Sequence, residues 1–381
     1  MGSPVVDIAI LTHFLSPYQA ELFNEISNAG HFSIRVHYLH RSHHTRYWSS
    51  LNLSHQAVFL REDTKALSDA MRDFETARLA ILNYYNERMA QKLIHCRSKT
   101  GLPWVFWGER PRHHFYYLAS RMYRHLRLRA LHQSNAPIWG IGRLAVDGYR
   151  REFGPRRTYA NIPYFSNLER FSRSAGSASA RPNRERTILY SGSLIPRKGV
   201  DHVAAAFARI IREGLSAKLI VLGSGPLEQM MREHLASCMD RVEFVGFRDW
   251  ETLPDLYAVS DILCVPSRYD GWGLVVPEGL AAGLPVISTT QTGSAMEFIQ
   301  PGHNGWLVPP DNEDAVYRAM RQAVTLTDEQ WREMSSLAVR SVASHTLAHG
   351  AQRFITAALD AIESWKGSPA PGRKLAARVL P

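Results

Sequence analysis

Two carboxylates, Asp270 and Glu278, flank a glycine-rich loop in the segment RYDGWGLVVPEGLAAGLPVIST. The residues before the loop, DILCVPS, have the apolar run of a buried strand, and LVVPEGLAAG after it has the pattern of a helix that tolerates Pro277 near its start. Glycines let a ligand approach the backbone, and free N–H groups at a helix start favour a phosphate. Carboxylates accept hydrogen bonds from sugar hydroxyls. The alternative is that Glu278 pairs or caps locally and Asp270 is a surface loop residue.

A second segment, YSGSLIPRKG, indicates another anion site. It predicts a strand, a turn with glycine, and then Arg197 and Lys198 immediately before a helix. Backbone N–H groups at the helix start, with a cation beside them, favour a phosphate. A solvated basic turn is the alternative. The segment LGSGPLEQ supplies a further glycine turn at Gly225, although such turns also serve simple chain reversal.

Strand-like and helix-like runs alternate in both halves of the chain. VVDIAIL, AELFNEISNAG and SIRVHYL predict strand, helix and strand, and the same order restarts at TILYSGSL and continues to LPVIST. Near-continuous apolar strands suit parallel sheets covered on both faces. The sequence therefore predicts an α/β fold with two Rossmann-like, doubly wound domains, whose ligands bind in a cleft at the carboxyl ends of both sheets.

The predicted domain boundaries follow from composition. Residues 1–172 form the first domain and residues 183–346 the second, and SRSAGSASARPNRER between them has the composition of a linker. A last helix, at about 347–366, is expected to fold back over the first domain. The tail at 367–381 is predicted to be disordered.

The charge of the 381-residue chain is uneven. The formal net charge is +10, and the residues up to Ser174 contribute 24 Lys and Arg against 13 Asp and Glu, so the basic character belongs to the first half. Three scattered cysteines lack metal-ligand spacing and favour a reduced, cytoplasmic setting. No secretory signal and no long apolar run is evident, so we expect neither export nor a membrane span.

A basic amphipathic segment lies within the first half, at WGERPRHHFYYLASRMYRHLRLRALHQ. From Arg110 to Arg129 it holds six arginines and no acid, interleaved with large apolar side chains. A helix of this kind can lie in the interface of an anionic membrane. The alternative is a helix packed on the first domain with a solvated basic face. A basic half would also suit nucleic acid, but no nucleic-acid motif is evident.

The run from Tyr190 to Pro310 resembles the nucleotide-sugar-dependent retaining glycosyltransferases of family four, which have the GT-B architecture of two Rossmann-like domains facing a cleft. Asp270 and Glu278 match the family's pattern of two acids separated by seven residues, with Asp where Glu is more usual at the first position. Four further segments agree in order: GSLIPRKGVD, GSGP, PVISTTQTGSAMEFI and GHNGWLVPP.

The resemblance implies a donor site in the second domain. Lys198 would contact the donor diphosphate, Glu278 the ribose hydroxyls and Asp270 the hydroxyls of the transferred sugar. The backbone of the intervening loop would hold the distal phosphate, and a glycine turn would pass close to the nucleotide. These loop and turn positions are Gly225, Gly271, Gly273 and Leu274.

Two departures from the family pattern concern the diphosphate and the acceptor. The family usually has Arg where this chain has Ser193, so Arg197 is expected to substitute or the leaving group is stabilised less well. The N-terminal Gly-Gly loop is absent, and HFLSPYQAELFNEI stands in its place. Its Ser-Pro-Tyr turn is similar to that of family members that build bacterial polysaccharides, which implies that Ser16, Pro17 and Tyr18 shape the acceptor side of the cleft.

Three residues ahead of the basic helix are further candidates. The resemblance implies that Glu109, His113 or His114 orients the donor or the acceptor, with His113 as the catalytic candidate, although a histidine beside six arginines can equally be a surface residue. The histidine-rich stretch HYLHRSHHTRYW is irregularly spaced, so no metal site is predicted there. Enzymes of this family neutralise the diphosphate with basic residues and helix starts, and no bound cofactor is expected.

The implied activity is transfer of a sugar, with retention, from a nucleotide-diphosphate donor to a hydroxyl of a lipid-linked or polysaccharide-precursor acceptor. The expected acceptor is a glycolipid or a polyprenyl-diphosphate-linked glycan. A UDP-sugar is the first expectation and a GDP-sugar the second. The chain would act in the cytoplasm, peripherally on the inner face of the cell membrane. The alternatives are a soluble glycosyltransferase with a small-molecule acceptor and an inactive scaffold that binds nucleotide sugars.

Overall fold

A computed structural model of the protein describes residues 6–41, 51–62, 65–111, 117–172 and 185–365. Its strands, in chain order, are β1 (Ile8–Phe14), β2 (Ile34–His40), β3 (Gln56–Phe59), β4 (Leu79–Leu82), β5 (Trp104–Gly108), β6 (Ile138–Gly140), β7 (Tyr159–Asn161), β8 (Arg186–Ser191), β9 (Ala217–Leu222), β10 (Val242–Gly246), β11 (Ile262–Val265), β12 (Val286–Thr289) and β13 (Gly305–Val308).

The strands form two parallel sheets. The first has the order β3-β2-β1-β4-β5-β6-β7, and the second has the order β10-β9-β8-β11-β12-β13. Every pairing within these two sheets is parallel. In each sheet the first strand lies centrally and the chain then works outward on one side before returning to the other. This reversal is the switch point at which doubly wound sheets bind ligands.

Helices cover both faces of each sheet. They are α1 (Pro17–Asn28), α2 (Ala66–Thr76), α3 (Arg88–Lys99), α4 (Tyr117–Arg127), α5 (Arg129–His132), α6 (Arg143–Phe153), α7 (Val200–Arg212), α8 (Glu228–His234), α9 (Leu253–Ala258), α10 (Val275–Ala281), α11 (Gly293–Phe298), α12 (Glu313–Val324), α13 (Asp328–Ser341) and α14 (Leu347–Glu363). Short 3-10 turns occupy Leu168–Phe171, Pro196–Lys198 and Ala236–Arg241.

The strand sequences explain why both faces are covered. In β1, Ile8 and Ile10 point into one apolar cluster, and Ala9 and Leu11 point into the cluster on the opposite face. In β8 the side chain of Leu189 likewise faces away from that of Ile188. Because successive side chains of a strand alternate in direction, an unbroken apolar strand needs a helix layer on each face. The predicted fold class, two doubly wound parallel α/β domains, is confirmed.

The last helix packs on the first sheet's helix layer although it follows the second sheet in sequence. α14 lies against α1, and Phe354 of α14 is fully buried between the rings of Trp107 and Trp139. The Trp365 indole N–H donates to the Gly101 carbonyl at 2.8 Å. The C-terminal helix therefore ties the end of the chain to the first domain.

Two expectations fall wholly or mainly outside the described residues. The predicted linker at 172–186 overlaps the undescribed stretch 173–184, and the predicted tail begins beyond residue 365. None of the described helices combines the length and the apolar character needed to cross a bilayer.

Replacing Phe354 with Ala should destabilise the protein strongly. The substitution removes a fully buried ring between two tryptophans, a change that costs about 3–5 kcal/mol when the cavity cannot collapse. The urea midpoint of unfolding, followed by tryptophan fluorescence, measures the effect. Leu359→Ala on the same helix is the control, because Leu359 is 39% exposed. Equal midpoints for the two variants would contradict this packing.

Candidate active site

The candidate donor site lies where two adjacent strands of the second sheet end. β8 and β11 pair directly, and the strand order reverses between them. The loop after β8 carries Arg197 and Lys198, and the loop after β11 carries Asp270. The fold thus brings together side chains that are more than seventy positions apart in sequence.

Lys198 and Asp270 form an ion pair at this switch point. Lys198 Nζ lies 2.5 Å from Asp270 Oδ2, and both side chains are 15% exposed. Arg197 Nη1 is 3.9 Å from the same carboxylate oxygen and donates to the Tyr269 carbonyl at 2.8 Å. Two cations therefore flank one acid, which leaves a net positive charge to meet an anion.

Gly199 allows the two loops to approach. It has a φ of +68°, and a Cβ there would lie 2.2 Å from the Pro266 carbonyl oxygen at the end of β11. A side chain would push the Lys198 turn away from the β11 loop. The glycine is therefore required for the contact between Lys198 and Asp270.

The loop between the two acids offers backbone donors. Gly271 and Gly273 lie in this loop, and Leu274 is the N-cap residue of α10. Among the described residues, the N–H groups of Gly273 and Leu274 donate to no protein acceptor. Backbone N–H groups that are free in this way can donate hydrogen bonds to a terminal phosphate. The Gly225 turn lies against the β8 loop, where a Cβ on Gly225 would lie 2.5 Å from the Leu194 carbonyl oxygen.

Glu278 occupies a largely buried position in the first turns of α10. Its Oε2 accepts from the Tyr257 hydroxyl at 3.3 Å, and that hydroxyl also lies 3.2 Å from Ser191 Oγ. Burial raises the pKa of Glu278 from its ordinary value of 4.5 to about 7, and the hydrogen bond from Tyr257 opposes this rise only in part. The site thus holds a carboxyl that changes charge near neutral pH.

A cavity of about 760 Å³ lies in the first domain at the carboxyl ends of its strands. Aromatic rings and uncharged amide and hydroxyl groups dominate its wall. The uncharged lining residues include Thr12, Phe14, Tyr18, Gln19, Asn83, Tyr84, Tyr85, Asn86, Tyr123, Tyr149 and Tyr164, and the wall also contains His13, Glu109, Arg110 and Arg124. Rings and neutral hydrogen-bonding groups in this mixture suit a carbohydrate.

The structure separates the four residues expected on the acceptor side. Tyr18 and Glu109 line the cavity, and Tyr18 packs on Tyr164 with ring centroids 4.8 Å apart. Ser16 is fully buried and its hydroxyl donates to Gln19 Oε1 at 3.0 Å. Pro17 is the buried first residue of α1. Ser16 and Pro17 therefore position α1, and Tyr18 and Glu109 face the cavity directly.

The cavity and the donor loop meet across the domain boundary. A Cβ on Gly271 would lie 2.7 Å from Glu109 Oε2, so this carboxylate touches the loop between the two acids. The Tyr269 hydroxyl donates to the Arg110 carbonyl at 2.5 Å, and the Arg110 guanidinium lies over the Tyr269 ring. Glu109 thus stands between the cavity and the donor loop.

Trp272 fixes the same loop to the first domain. Its ring is 2% exposed and belongs to the first domain's apolar cluster. Gly142, with a φ of +90°, gives it room, because a Cβ there would lie 2.9 Å from Trp272 Cζ3. Phe298 and His345 complete the pocket around the indole. Nothing in the local sequence distinguishes this tryptophan from a ligand-binding one.

Glu297 is a second interface residue, in the segment PVISTTQTGSAMEFI that belongs to the family resemblance. Glu297 of α11 accepts from the Arg143 backbone N–H at 2.6 Å and from Asn161 Nδ2 at 3.1 Å. Both donors belong to the first domain. Glu297 therefore joins the two domains beside Trp272.

The basic segment is less uniform than its composition indicates. His113 and His114 lie outside the described residues, and α4 begins at Tyr117. Arg110 faces the domain interface, and Arg124 is buried in an ion pair with Glu152 at 2.8 Å. These two arginines therefore do not belong to an exposed basic face, because each has a partner in the protein.

Residues 175–337 match the family described as Glycosyl transferases group 1. A GDP-mannose-dependent alpha-(1-6)-phosphatidylinositol monomannoside mannosyltransferase of Mycobacterium tuberculosis is 29% identical over 45% of this chain and 48% of its own length. The first curated relatives are matched over only 34% and 48% of their own lengths.

Solved structures match nearly the whole chain. Sucrose-phosphate synthase from Thermosynechococcus elongatus has a TM-score of 0.72 and 21% identity, over 92% of this chain and 97% of its own. Anabaena HepE in complex with UDP-glucose has a TM-score of 0.68 and 15% identity, over 92% and 99%. These likenesses confirm the predicted GT-B fold.

The raised pKa of Glu278 predicts a stability difference that depends on pH. Between about pH 4.5 and 7 the unfolded chain releases this proton more readily than the folded chain, so ionisation destabilises the fold as pH rises. Glu278→Gln removes this effect. We expect the variant to gain stability relative to the parent across that window, by at most on the order of 3 kcal/mol, and to keep a constant difference above it.

Thermal unfolding of both proteins from pH 4.5 to 8.5 measures the difference. Glu243→Gln serves as the control, because Glu243 is an exposed acid on β10. A Glu278→Gln difference that stays flat across this pH range would contradict a buried, protonated carboxyl.

Proposed function

We propose that the chain, whose residues 175–337 match the group 1 glycosyl transferases, transfers a sugar from a nucleotide-diphosphate donor to an acceptor hydroxyl with retention of anomeric configuration. The observation that carries this proposal is the Lys198–Asp270 ion pair, beside which Glu109 of the first domain contacts the same loop at Gly271. A donor bound over the second sheet would place its sugar beside the first-domain cavity.

Binding of the donor would replace the ion pair between Lys198 and Asp270 by contacts of each side chain with the donor. The diphosphate takes Lys198 and Arg197 as cationic partners and the N–H groups of Gly273 and Leu274 as donors. Asp270, released from Lys198, is then free to accept from hydroxyls of the transferred sugar. Glu278 accepts from the ribose hydroxyls, with Tyr257 holding its carboxyl in place.

Cleavage of the donor develops negative charge on the leaving phosphate and positive charge on the sugar. Lys198 and the loop N–H groups stabilise the phosphate charge without a bound metal ion. The departing phosphate takes the proton of the attacking hydroxyl on the same face, which preserves the configuration. Asp270 and Glu278 position the donor, and His113 stays a candidate that the described residues do not test.

The acceptor side fits a carbohydrate carried on a lipid. The first-domain cavity offers rings and neutral polar groups, and Tyr123 of α4 forms part of its wall. Leu118, Met122 and Leu126 form an apolar stripe on α4 at intervals of four residues, and they are 77%, 66% and 69% exposed. The stripe supports contact between α4 and a membrane that delivers the acceptor.

Cations beside the stripe favour an anionic surface. Arg121 and Arg129 are exposed and flank the apolar side chains. Each such cation near an anionic leaflet contributes about 1 kcal/mol. A soluble glycosyltransferase with a small acceptor is the competing proposal, and it leaves the exposed stripe without a role.

A thermal-shift screen with UDP, GDP, dTDP and ADP and their sugars tests the proposed donor site. A ligand that binds only the folded state must raise the unfolding temperature. A selective shift by one nucleotide family identifies the donor class. No shift by any nucleotide, with or without metal, would favour the inactive scaffold.

Replacing Lys198 with Met should weaken nucleotide binding by at least about tenfold. The variant keeps the side-chain length but loses a charge-assisted hydrogen bond, which contributes about 1.5–3 kcal/mol. Calorimetric titration with the nucleotide selected by the screen measures the loss. Lys218→Met is the matched control, because Lys218 is exposed on β9. Full donor affinity and transfer in a Glu278→Ala variant would also count against the proposed site.

Replacing Leu118, Met122 and Leu126 together with Ser should abolish most membrane binding. Each side chain that leaves an apolar environment costs about 1.5–3 kcal/mol. Co-sedimentation with vesicles containing anionic phospholipid measures the bound fraction. A Val259→Ser, Val339→Ser variant is the control, because these exposed valines lie in the second domain. Equal binding by both variants, or binding unchanged without anionic lipid, would contradict the membrane proposal.

A further inference from the structure

Three potential metal ligands converge at the edge of the first-domain cavity. His13, His40 and Glu87 each offer one ligand atom, and these atoms all lie within 4.8 Å of one another. We call this group the His13 cluster. Each side chain is partly exposed, between 21% and 34%, so an ion could reach the group from solvent.

The fold assembles the His13 cluster from three separate segments. His13 and His40 lie at the carboxyl ends of the paired strands β1 and β2, and Glu87 is the N-cap residue of α3. The ligand positions are therefore spread over more than seventy residues. Because structural zinc motifs are recognised by short spacings, this arrangement is invisible in the sequence.

We propose that the His13 cluster binds a divalent transition-metal ion, with zinc as the best-suited ion, through two imidazoles and one carboxylate. His13 Nε2 lies 3.5 Å from Glu87 Oε1, close to the separation of two ligands on one tetrahedral ion. His40 Nε2 lies 2.7 Å from the same oxygen, and binding replaces this hydrogen bond by a small outward movement. Two imidazoles with a carboxylate are a ligand set that zinc accepts.

The surroundings already orient the ligands. The His13 ring stacks on Tyr84 with centroids 4.0 Å apart and planes within 5°. Arg61 Nη2 donates to Glu87 Oε2 at 2.7 Å, which leaves the other oxygen, Oε1, directed at the histidines. Outer contacts of this kind fix ligand direction in metal sites.

Three protein ligands leave one tetrahedral position open. His13 also lines the first-domain cavity, so the open position lies at the cavity edge and would hold a water molecule. The ion would join β1, β2 and α3 at that edge. This site is separate from the donor diphosphate contacts, so it stands or fails independently of the proposed transferase activity.

Calorimetric titration of the full chain with Zn²⁺, after treatment with a chelator, tests the site. We expect one equivalent of zinc to bind, and binding to weaken at least about tenfold in His13→Ala, His40→Ala and Glu87→Gln. Zinc should also raise the unfolding temperature of the parent protein and not of these variants. Co²⁺ absorption in the visible range reports whether the coordination is tetrahedral.

His95→Ala is the matched control, because His95 is an exposed histidine on α3. Its zinc affinity should equal that of the parent protein. Circular dichroism without metal checks the fold of each variant, and Glu87→Gln keeps the side-chain shape should an alanine variant fail to fold. Absence of zinc binding by the parent overturns the site. So does zinc binding that survives all three substitutions.

Discussion

The pairing of β8 with β11 is the constraint on which the candidate donor site depends. Because these two strands lie side by side while the strand order reverses between them, their exit loops diverge and leave a crevice at the carboxyl edge of the sheet. Lys198 and Asp270 meet there as an ion pair. Because the two strands are apolar, both faces of the sheet are covered by other elements. The charged side chains of the candidate site therefore lie at the carboxyl ends of the strands.

The same constraint in the first sheet creates the opposite surface of the cleft. The cavity there is lined mainly by rings and neutral polar groups, with Glu109, Arg110 and Arg124 among them, whereas the edge of the second sheet carries the Lys198–Asp270 ion pair. Glu109, in contact with the loop at Gly271, stands at the boundary between them.

The sequence predicted those features that depend on local patterns. The alternation of strand and helix runs was sufficient to predict the two parallel sheets. The glycine turns with Lys198, Asp270 and Glu278 indicated the candidate donor site. Contacts between segments that are distant in sequence could not be predicted from these local patterns. The burial of Trp272, the pairing of Arg124 with Glu152 and the convergence of the His13 cluster each depend on tertiary packing, which leaves no trace in spacing.

The burial of Trp272 has a mechanical consequence. The indole belongs to one domain's core while its backbone belongs to the other domain's ligand loop, so it acts as a tether between them. Separation of the domains must either extract the ring into water or drag the loop along. A ligand that orders the loop therefore makes opening of the cleft less favourable. By thermodynamic reciprocity, opening of the cleft lowers the affinity for that ligand by the same free energy.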